Sequence, residues 1–141
     1  MGQQKNCQEK HSTDKKIPFI ELKELSFSDS NIISMNWVND GDDLLINIDW
    51  LKPIKFDPNS IGSNLAVVLN CIYVTNMKMD IEFNESMGYL SIFKIDMKIN
   101  KDNIVDVEIK FLGIPDGYIH FLCSDIYLSY EEEKSDPAVS G

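Results

Sequence analysis

The sequence predicts an all-β domain of mainly antiparallel strands, and three observations carry that reading. Apolar and polar residues alternate along most of the chain. β-Branched and aromatic residues crowd the alternating runs, and short segments rich in Gly, Asn and Asp separate them where long helical patterns are lacking. About six to eight strands are expected, with at most one short helix, as a β-sandwich or a partly open barrel.

Residues 1–16 are polar and aperiodic and read as an unstructured tail. Residues 17–130 then form one domain, and 131–141 a solvated acidic tail. Within 19–28, Ile20, Leu22, Leu25 and Phe27 fit neither period, so a helical turn and an edge strand both remain open. Ile33, Met35 and Trp37 alternate with polar residues, as do Leu44, Ile46, Ile48 and Trp50 beyond the loop Asp40-Gly41-Asp42-Asp43. This pattern predicts a β-hairpin pairing Trp37 with Ile46 and Met35 with Ile48, all seven apolar side chains on one face.

The segment 52–63, with Pro53, Pro58 and Gly62, reads as a long connection. Leu65 to Val74 is apolar at every position but Asn70, as a strand covered on both faces or a helix would be, and its Val67, Val68, Ile72 and Val74 favour a central strand. Met77 to Phe83 alternates and should keep one wet face, with a turn over 84–88. Phe93, Ile95, Met97 and Ile99 face Val105, Val107, Ile109 and Phe111 across the loop Lys101-Asp102-Asn103. The register sets Ile99 against Val105, Met97 against Val107 and Lys98 against Asp106, with Asn103 left-handed. Pro115-Asp116-Gly117 signals a turn. In the final strand Ile119, Phe121 and Cys123 fall on one face but Ile126 and Leu128 on the other, which calls for a bulge or bend at Ser124-Asp125.

Charge bounds the function. The 141 residues carry a formal net charge of -10, and all 13 cations are Lys. Nucleic-acid binding draws on phosphate neutralisation and Arg base contacts, so a direct nucleic-acid partner is not expected. An acidic field steers basic partners in. No apolar run approaches the roughly 18–20 residues of a membrane helix. No apolar h-region follows Met1–Cys7, and Cys71 and Cys123 lie in apolar runs without metal-type spacing, so a cytoplasmic setting is expected.

Catalytic chemistry finds no constellation. His11 lies in the tail, and His120 shares one strand with Ser124 and Asp125, where side chains point to different faces. No phosphate-cradling glycine motif is present. The carboxylates of Asp40, Asp42 and Asp43 lack EF-hand spacing and suit a turn for backbone reasons. No enzyme, cofactor or metal is therefore expected. Trp37 and Trp50 read as core. The residues best suited to meet a partner are Asp40, Asp42 and Asp43 at one hairpin tip, with Tyr127, Tyr130, Glu131, Glu132 and Glu133 at the end of the last strand, since Tyr beside carboxylates anchors basic surfaces.

Phe27-Ser28-Asp29-Ser30, Ile33 through Trp37, Leu44 through Asp49, and Gly117-Tyr118-Ile119-His120-Phe121 with Cys123 together resemble the small immunity proteins of bacterial polymorphic-toxin systems over residues 20–130. The resemblance implies an acidic cytosolic β-protein that binds and blocks one cognate toxin, often a basic nuclease. The rival expectation is a small-ligand-binding β-barrel with a mouth lined by Trp and Met. Either would be a monomer or a homodimer, exposed edge strands allowing the latter.

Overall fold

Alternating patterning becomes nine strands and a single helical turn among the residues that a computed structural model describes, 14–51, 64–82, 90–111 and 116–131. The elements are β1 (Asp14–Pro18), α1 (Phe19–Leu22), β2 (Asn31–Val38), β3 (Asp43–Leu51), β4 (Asn64–Ile72), β5 (Thr75–Glu82), β6 (Leu90–Ile99), β7 (Val105–Phe111), β8 (Asp116–Cys123) and β9 (Asp125–Glu131). They make one open sheet in the order β1-β9-β4-β3-β2-β6-β7-β8-β5, antiparallel throughout. The strand count exceeds the six to eight expected, because β1 adds an edge and the long last run divides in two.

The sheet bends at two places, and the bends explain its bulges. β2 meets β6 only at Asn31–Ser91 and Ile32–Leu90. The ladder continues just upstream, where Ser30 O accepts the Ile92 N–H at 2.8 Å and Ile92 O accepts the Asp29 N–H at 3.0 Å. Each strand shifts register at that junction, between Ile32 and Ser34 and between Ile92 and Lys94. A bulge turns one side chain over and sharpens local twist. Ile32 and Ile92 therefore enter the core, while Ile33 (58% exposed) and Phe93 (51%) turn outward.

The second bend lies where β4 runs into β5 and β8 into β9. β4 pairs with β9 on one side of it and β5 with β8 on the other. Ser124 donates its backbone N–H to Ile72 O at 2.8 Å across the corner, and Tyr73 takes a left-handed φ of 56° at the bend. The bend expected at Ser124-Asp125 is present. It lets Ile119, Phe121, Cys123, Ile126 and Leu128 share one buried cluster with Ile46, Ile48, Leu69, Val107 and Ile109. Burying each such large side chain stabilises the fold by roughly 1.5–3 kcal/mol.

Several expectations are corrected. β1 starts at Asp14, inside the segment read as tail; Ile17 is the apolar residue that docks it on the core, opposite Leu128. The ambiguous 19–28 segment opens as one helical turn and buries Leu22 and Phe27. In the first hairpin Trp37 faces Leu44 and Met35 faces Ile46, two residues from the expected register. The β2 bulge puts Ile32, and not Ile33, opposite Ile48. β4 is central but buried on one face only, with Val67, Leu69 and Cys71 inside, Val68 and Ile72 half-buried and Ala66 exposed. Asp116 and Gly117 belong to β8, paired with Glu82 and Ile81. The connection 52–63, the turn 84–88 and Pro115 lie outside the described residues.

The β6–β7 register is as expected for Ile99 with Val105, Lys98 with Asp106 and Met97 with Val107, but the bulge sets Ile92, and not Phe93, opposite Phe111. Asn103 is left-handed at φ 66°. Asn100 fixes the turn, its Oδ1 accepting the N–H groups of Asp102 at 2.8 Å and Ile104 at 3.1 Å. Trp50 is fully buried, its ring centroid 5.5 Å from that of Phe27 and its Nε1–H donating to Ser26 O at 2.9 Å. Buried Ser30 is satisfied by the Leu51 N–H at 2.9 Å.

Candidate functional site

The tip of the β2–β3 hairpin is the first candidate, and local backbone chemistry builds it. Asn39, Asp40 and Gly41 take φ of 52°, 60° and 89° in succession, a left-handed run that Asn, Asp and Gly tolerate best. The turn closes with Gly41 N–H on Val38 O and Asp42 N–H on Asn39 O, each at 3.1 Å. Asp43 Oδ2 accepts a 2.6 Å hydrogen bond from Asn39 Nδ2, and its Oδ1 accepts the Tyr73 N–H at 2.9 Å. Asp42 O accepts the Val74 N–H at 2.8 Å. The tip is thereby tied to the β4–β5 corner. The Tyr73 N–H, and secondarily the Asn39 amide, hold the Asp43 carboxyl below the usual carboxylate range.

Two large aromatic residues flank this tip in the open. Tyr73 is 58% exposed and Trp37, one residue before the hairpin turn begins, is 50% exposed. Trp37 was expected in the core. It shares a face with buried Leu44, but β2 has no described neighbour beyond Ile32 on its other side, so no described strand covers the ring there. Asp125, opposite Ile72, is also exposed at this end. Two exposed aromatics, with Asp40, Asp42, Asp43 and Asp125, thus collect at one end of the molecule. Sequence reading missed Trp37 and Tyr73 because a residue's place in an alternating run says which face it takes, not where the covering strand stops.

The remaining expected contact residues lie elsewhere. Tyr130 faces inward and packs against the core. Tyr127 is half-buried on the outer face, with Lys16 Nζ 5.1 Å from its ring centroid. Glu131 is exposed at the far end of β9. That strand has seven residues, so roughly 20 Å separate Glu131 from the end bearing Asp125. Glu131 therefore does not join the hairpin-tip carboxylates in one patch. Glu132 and Glu133 lie outside the described residues.

The outer face of β6-β7-β8-β5 is the second candidate. A shallow hollow of about 490 Å³ lies there, with Asp80, Glu82, Glu108, Lys110, Tyr118 and Phe93 around it. Beside it His120 Nε2 and Asp106 Oδ1 lie 2.7 Å apart, neither side chain fully covered. His120 has a carboxylate neighbour but no nucleophile bonded to it; Ser124 Oγ donates instead to Ile72 O at 3.2 Å. No group of three His, Cys, Asp or Glu side chains is placed to hold a metal ion among the described residues. Trp50 is buried at the end of β3 opposite Trp37, so the two tryptophans do not line a common pocket. Cys71 and Cys123 are buried and unbridged, and burial pushes both thiols up, Cys123 to about 12.

No helix among the described residues is long and apolar enough to cross a membrane. No family model matches the chain, and no curated protein does. Among solved structures the chain is similar to an uncharacterised protein from Neisseria gonorrhoeae. The TM-score is 0.51 at 15% sequence identity, over 82% of this chain and 95% of that one. A likeness at that identity speaks for a shared fold.

Proposed function

We propose that the chain is a non-enzymatic interaction protein that captures a basic protein partner at the β2–β3 hairpin end, in the manner of an immunity protein neutralising a basic toxin. The observation that carries this reading is the pairing of exposed Trp37 and Tyr73 with the carboxylates of Asp40, Asp42 and Asp43. Exposed Trp and Tyr supply the apolar anchors of interfaces. Carboxylates around them select basic partners and speed their arrival. Rigidity adds to this: the bonds from Asp42 and Asp43 to the β4–β5 corner hold the surface in place before binding, which lowers the ordering cost. The formal net charge of -10 acts in the same direction over longer range.

The test is capture followed by neutralisation. The tagged chain is used to isolate basic proteins from its native cell, and each captured protein is then expressed with and without the chain. Growth arrest by one captured protein, relieved by the wild-type chain and not by an Asp40→Lys/Asp42→Lys variant, is the expected result. Capture of acidic or neutral proteins alone, or relief that survives the double reversal, would count against the reading.

A further inference from the structure

The two ends of the open sheet are unlike each other. β1 is short, carries Lys15 and Lys16, and closes on Pro18, the devices that keep a sheet edge from pairing. β5 closes the other end, and no described strand pairs with its outer edge. Its bulge is confined to the start, between Thr75 and Lys78, and from Lys78 to Glu82 the ladder with β8 is regular. Met79 stands opposite fully buried Ile119, so it belongs to the core face, yet it is 53% exposed. A core-facing side chain left half bare marks an edge that no described strand covers.

The outer face of β5 adds a charge preference. Asp80 and Glu82 alternate with the core-facing positions and border the hollow that Glu108 and Tyr118 complete. A strand laid beside β5 would run about 4.8 Å away and set every second side chain next to Asp80 and Glu82, at the rim of this hollow. A second copy of the chain is disfavoured: it would bring a net charge of -10 against its own kind.

We infer that the β5 edge accepts an extended, basic segment of a partner protein by β-strand addition, with alternating apolar side chains covering Met79 and alternating Lys or Arg side chains meeting Asp80 and Glu82. The inference rests on the basic-partner reading and names how such a partner engages. β5 begins just past the corner to which the hairpin tip is bonded, so one partner can reach both surfaces.

The experiment titrates the full chain with a synthetic peptide alternating Lys and Val, and reads amide hydrogen exchange residue by residue. Exchange between Lys78 and Glu82 is expected to slow by about tenfold or more. A peptide alternating Glu and Val should leave it unchanged, and Met79→Lys or Asp80→Lys should abolish the protection. Protection at β1 in place of β5 would overturn the inference. So would protection of β5 that rises with protein concentration without peptide, since the occupant would then be a second copy. Peptide binding that shifts Asp40–Asp43 resonances while β5 exchange stays fast would also overturn it, yet leave the basic-partner reading standing. Binding of the Lys–Val peptide nowhere on the chain would count against both.

Discussion

Asp43 accepts the backbone N–H of Tyr73 at 2.9 Å, so the tip of the first hairpin is bonded to the corner where β4 turns into β5. That bond couples a surface loop to the bend that shapes the whole sheet. It also makes Asp43 the acid whose protonation the fold should register.

The Asp43 carboxyl is held below its ordinary value in the folded chain, chiefly by the Tyr73 N–H. A group with a lowered folded value binds protons more readily when unfolded. Its contribution to stability is complete above the unfolded carboxyl range and is lost as pH falls through the folded value. Asp43→Asn should therefore reduce the loss of stability on acidification, measured by urea unfolding at neutral pH and near pH 3. An unchanged pH dependence would mean the bond is not maintained in solution.

The two tryptophans should behave oppositely. Trp50 is buried on Phe27 and hydrogen-bonded to Ser26, and Trp50→Ala should cost about 3–5 kcal/mol. Trp37→Ala should stay within about 1 kcal/mol. Iodide should quench only the emission lost in the Trp37→Ala variant. Equal quenching of both would contradict their placement.

Gly117 is required for two reasons. Its φ is 144°, and a Cβ built there would overlap the Asp80 carbonyl oxygen. Gly117→Ala should destabilise by about 1–3 kcal/mol or more and loosen the β5–β8 ladder. At Gly41, with φ 89° and open space around it, only the backbone strain applies. Gly41→Ala should therefore be the milder change in thermal unfolding.

The bulges lend themselves to paired substitutions. Ile32→Ala should cost about 2–5 kcal/mol and Ile33→Ala less than about 1 kcal/mol. The same order should hold for Ile92 against Phe93. A reversed order in denaturant unfolding would return both strands to the unbulged register.

Which parts of this fold can be read from sequence follows from what period-two patterning encodes. It states which side chains share a face, so the β6–β7 register and the bend at Ser124 are legible: Met97 and Val107 agree in phase, and Phe121 and Ile126 do not. Patterning is blind to where a neighbouring strand ends. Trp37 and Met79 alternate correctly yet lie at uncovered margins, and Ile33 and Phe93 alternate correctly yet are turned outward by bulges. The hairpin-tip aspartates are legible as a turn, but their bonding to Tyr73 and Val74 joins residues some thirty positions apart and leaves no local signal. Glu131 falls outside the site because strand length, not composition, sets its distance.

The most direct measurement is the association rate of the captured basic partner with the wild-type chain and with Asp40→Lys/Asp42→Lys, across a range of salt concentrations. The expected result is a wild-type rate that falls steeply as salt rises, and a double variant that associates at least about tenfold more slowly with a flattened salt dependence. Identical rates and identical salt dependence for the two proteins would contradict capture at the hairpin end.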